Sequence, residues 1–135
     1  MTEANIVKAA REALASHSEA IPTALRLVEE GLLHFPKSAQ LWVLRGDLIQ
    51  LGSADLTYSL NDSLSSYRAA LEHEPGSAGA HEAIGRFLDA VYDSPTEAEP
   101  YLRKAVQLGG GRSAEKALAG VLEQLASGNP EKNAG

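Results

Sequence analysis

Apolar residues return along this chain at the three-to-four-residue interval of a helix face. Ala80, Ile84, Phe87, Leu88 and Val91 form one such stripe, and Ala114, Ala117, Leu118, Val121, Leu122 and Leu125 form another. Stop and start residues divide the pattern into elements. Pro36 and Pro75 cannot continue a helix, and Gly110 suits a C-terminal cap. Ser38 and Ser77 each follow a proline stop by two residues and can cap the next helix, and Ser113 follows Gly109-Gly110-Gly111 in the same way. Ser94-Pro95-Thr96-Glu97 has the order of a capping box with proline at the first helical position, and Pro22 suits the first turn of a helix capped near Ser18. The spacing predicts seven helices, at about 3–17, 21–34, 38–51, 56–73, 77–92, 95–108 and 113–127.

Three series of markers share one uneven rhythm. Pro36, Pro75 and Gly110 are 39 and then 35 residues apart, and so are Gly31, Ala70 and Ala105. Gly46, Gly85 and Gly120 repeat the same two intervals. Three series in phase indicate an internal repeat of helix pairs. Two helices approach closely only where the crossing residue is small. Glycine inside a helix costs roughly 1 kcal/mol relative to alanine, so Gly46, Gly85 and Gly120 are each expected at a tight crossing. The interval from Gly46 to Ser63 is five residues longer than that from Glu12 to Ala24, with the surplus inside 52–61. Leu56, Leu60 and Leu64 are spaced by four, which favours a longer helix there over a protruding loop. Tyr58 is the candidate contact residue of that surplus.

Composition agrees with helices. The chain of 135 residues holds 22 Ala and 19 Leu against 6 Val and 4 Ile. Hydrophobic residues make up 44%, enough for a folded core. The net charge of −6 opposes nucleic acid and anionic lipid as partners. With no cysteine, disulfides, thiolate metal sites and cysteine nucleophiles are excluded. No apolar run is long enough for a membrane span, and residues 1–20 lack the order of a secretory signal, so a cytoplasmic protein is expected.

The repeat resembles the tetratricopeptide repeat, whose signature is W-x2-L-G-x2-Y, then A-x3-F, then P. Trp42-Val43-Leu44-Arg45-Gly46-Asp47-Leu48-Ile49 keeps the Trp and Gly and has Arg45 and Ile49 for the Leu and Tyr. His81-Glu82-Ala83-Ile84-Gly85 keeps the Gly, and the first copy has Glu12 at that place. The resemblance covers about residues 5–126. It implies an all-α fold: a right-handed superhelical solenoid of antiparallel helix pairs with about seven helices. A single domain over 1–127 would comprise repeats at about 5–37, 38–76 and 77–111, a capping helix at 113–127 and a polar tail at 128–135.

The resemblance also implies a concave face lined by the first helix of each repeat. Ile6, Ala9, Ala13 and His17 would face it in the first repeat, Gln40, Val43, Asp47 and Gln50 in the second, and Gly79, Glu82, Arg86 and Asp89 in the third. Asp47, Glu82 and Asp89 outnumber Arg86 there, so a neutral or basic peptide or protein is the expected partner, with an apolar anchor near Val43 and the alanines. Adaptors of this family that grip acidic chaperone termini use Lys, Asn and Arg. The matching places hold Ala9, Ala13, Leu44, Gly79 and Ala83, which cannot bind a carboxylate. Trp42 is expected to pack between helices.

No catalytic or metal chemistry is legible. His17, His34, His73 and His81 include no pair three or four apart, and Gly85 stands where a zinc-protease motif opening at His81-Glu82 needs its second His. The run Gly109–Ser113 lacks the preceding strand and the Lys of a phosphate loop. No acidic pair or Ser/His/Asp set suggests a mechanism. A non-catalytic interaction module without cofactor or metal is therefore expected. The alternative is self-association through the last helix, whose Leu118, Val121, Leu122 and Leu125 would lack a partner helix.

Overall fold

The computed structural model describes residues 1–16, 19–52 and 57–128. Among them the chain is all-helical, with seven helices and no strand: α1 (Glu3–Ser16), α2 (Ile21–His34), α3 (Ala39–Gly52), α4 (Leu60–His73), α5 (Ala78–Ala90), α6 (Pro95–Gln107) and α7 (Gly111–Ala126). The chain divides into two compact units, Met1–Pro75 and Gly76–Gly135.

In the first unit α1 packs on α2 and α3, α2 on α3, and α3 on α4. Ile6, Ala10, Leu25, Val28, Leu41, Leu48 and Ile49 are buried among one another, with Trp42, Phe35 and Tyr58 packed on the rim of this core. In the second unit α5 packs on α6, and α7 packs on both. Its buried side chains include Ile84, Phe87 and Leu88 of α5, Leu102 and Ala105 of α6, and Ala114 and Val121 of α7. The α5 stripe therefore faces its own unit's core, and α7 turns Ala114 and Val121 into it.

Two of the three glycines in phase do sit at tight crossings. A methyl group at Gly46 would fall 2.8 Å from Tyr67 Cδ1 and Cζ of α4. One at Gly85 would fall 2.6 Å from Leu102 Cγ and Cδ2 of α6. Gly31 is equally close to its neighbours, with Ile6 Cδ1 at 2.8 Å. Gly120 differs: it is exposed, and a methyl group there would meet nothing within 4 Å. Among the described residues nothing crosses α7 closely at this glycine.

Two expected helix starts and one expected cap are corrected. The fourth helix does not extend back to residue 56; it begins at Leu60. The Asp62 carboxylate accepts from the Ser59 backbone N–H (2.8 Å) and from its hydroxyl (3.3 Å), which fixes the helix start there. Tyr58 thus lies in the connection before α4, while Leu56 falls outside the described residues. Ser94 forms no side-chain cap; its backbone N–H donates instead to Leu88 O (2.9 Å), and α6 begins at the buried Pro95. Ser113 is not a cap but lies inside α7, which begins at Gly111. Glycine is required in this turn. Gly109 and Gly111 have φ of +87° and +73°, and a methyl group on Gly110 would fall 2.8 Å from Ala105 O. Ser38 and Ser77 cap as expected, accepting from Leu41 N (3.2 Å) and Ala80 N (3.1 Å). His17, Ser18 and the tail from residue 129 lie outside the described residues.

The contrast between glycines is measurable by urea denaturation. Gly85→Leu overpacks the α5–α6 crossing and is expected to cost about 1–3 kcal/mol or more. Gly120→Ala is expected to raise stability by up to about 1 kcal/mol, since only helix propensity changes.

Candidate partner-binding site

The α3 face of the first unit carries Gln40, Val43, Asp47 and Gln50. Gln40 is exposed; the other three are half-buried. Tyr67, 1% exposed, reaches across from α4 and donates its hydroxyl to Asp47 Oδ1 (2.6 Å) and Gln50 Oε1 (3.1 Å). The close approach at Gly46 is what lets the ring through. Burial, and then the negative charge of Asp47, push the Tyr67 phenol far above its ordinary value. Asp47 and Gln50 are thereby fixed in direction along α3. The Ser63 hydroxyl donates to Gly46 O (2.9 Å) at the same crossing.

Arg45 of α3 is half-buried. Its Nη1 donates to Ser66 Oγ (2.6 Å), and its Nε lies 3.4 Å from Glu29 Oε2. The guanidinium lies 5.0 Å from the Tyr58 ring centre and 6.0 Å from that of Trp42. Tyr58 donates to Glu29 Oε2 (2.5 Å), which raises its phenol above the usual value. Tyr58 is therefore a half-buried packing residue rather than a free contact residue. The network joins α2, α3, the following connection and α4. Trp42 is half-buried, donates to Pro36 O (3.0 Å) and stacks on His73.

Beside α3, an open groove of about 510 Å³ is lined by Ala4, Val7, Lys8, Arg11, Glu12 and Ala15 of α1 and by Gln40. A second hollow of about 260 Å³ between α1 and α2 includes Ala9, Ala13, Ala24 and Leu27.

In the second unit Glu82, Arg86 and Asp89 share one face of α5. Glu82 Oε2 accepts from Arg86 Nε (2.7 Å) and from the Ser113 hydroxyl (2.6 Å). Arg86 Nη2 donates to Ser113 O (3.1 Å) and Ser113 Oγ (2.9 Å). Ser113 reaches Glu82 because α7 starts two residues before it. Beyond this cluster, a pocket of about 200 Å³ is lined by Arg86, Asp89 and Ala90 of α5, Leu102 of α6, and Lys116, Ala117, Gly120 and Gln124 of α7. Sequence reasoning placed the α5 residues on one face but missed the α7 wall. No sequence signal marked that wall, because Gly120 keeps the interval of Gly46 and Gly85 without a close neighbour.

Among the described residues no group of three or more His, Asp or Glu is placed to hold a metal ion. No helix there is long and apolar enough to cross a membrane. No family model and no curated protein matches this chain.

The Tyr67 phenol carries a pH dependence. Its folded value is raised, so its contribution to stability is complete below the unfolded value of about 10 and is lost as pH rises beyond it. Tyr67→Phe is expected to cost roughly 1–2 kcal/mol near neutral pH. Above pH about 10 its stability should fall less steeply than wild type, by up to about 1.4 kcal/mol per pH unit. Denaturant melts at pH 7 to 11.5 measure both.

Proposed function

We propose that this chain is a non-catalytic protein-interaction module of tetratricopeptide-repeat type. In this reading it is cytoplasmic, needs no cofactor, and binds a neutral or basic peptide or protein. The binding faces are those of α1 and α3 in the first unit and of α5 and α7 in the second. The observation that carries the reading is the pair of open hollows on those faces, one bordered by Gln40 and one by Arg86 and Asp89. Hydrogen bonds from Tyr67 and Ser113 hold the neighbouring polar side chains in place. Preorganised side chains reduce the ordering cost of binding.

A specific observation favours a second reading, self-association through α7. Leu118, Leu122 and Leu125 remain only half-buried along one flank of that helix. A homodimer that dissociates on Leu122→Glu, seen by light scattering, would support it.

Affinity capture from the source lysate tests the main reading. Gln40→Lys and Asp89→Lys are used separately, and Leu33→Lys, on an 81% exposed residue of α2, is the control. The expected result is a protein whose retention falls about tenfold, or about 1.4 kcal/mol, with a groove variant but not with the control. Equal retention by all variants, or loss with Leu33→Lys alone, would contradict it.

A further inference from the structure

We draw no further inference here: the strongest candidate, the open groove of about 510 Å³ between the Val7, Lys8 and Arg11 side of α1 and Gln40, belongs to the partner-binding face already described, and nothing in the structure shows what covers it.

Discussion

Each of the two later helix pairs closes at a point where one backbone has no side chain. At Gly46 the space of a β-carbon is taken by the Tyr67 ring, and at Gly85 by the Leu102 side chain. A helix gives up stability to carry an interior glycine, and it recovers it only through the packing that the glycine permits. Around these crossings the large buried side chains gather: Leu48, Ile49 and Tyr67 in one unit, Ile84, Phe87 and Leu102 in the other.

The polar groups follow from the same geometry. Tyr67 can reach Asp47 and Gln50 because its ring crosses α3 over Gly46, and Ser63 can bond the Gly46 carbonyl because the two backbones are close. Arg45 enters the α3–α4 interface with Ser66, Glu29 and two aromatic rings around it, which satisfies a charged group there. In the second unit Arg86, Glu82 and Ser113 tie α5 to α7. These bonds consume charge inside each unit, so the faces present less of it than a count of residues implies. Asp89 is the exception on its face.

Most helices were legible because apolar period, proline stops and serine caps agreed at Ser38 and Ser77. Two boundaries and one cap were not, each for a local reason. The spacing of Leu56, Leu60 and Leu64 continued a helical period through the connection, but Asp62 binds the Ser59 backbone and sets the start at Leu60. Ser94 had the right neighbours for a cap, yet its backbone was drawn to Leu88. Gly111 can adopt positive φ and begin α7 early, which placed Ser113 inside the helix. The candidate face was legible on α3 and α5, where period alone assigns it. The α7 wall was not, because Gly120 shares the rhythm of Gly46 and Gly85 while lacking their neighbours. A shared interval fixes a residue's place along its helix, and contact depends on what the next helix brings to it.

The glycine crossings are most directly tested by nuclear Overhauser contacts in the full chain. Strong contacts are expected from Gly46 Hα to the Tyr67 ring and from Gly85 Hα to the Leu102 methyl groups, and none from Gly120 Hα to a side chain of another helix. Absence of the first two, or a clear interhelical contact at Gly120, would contradict this packing.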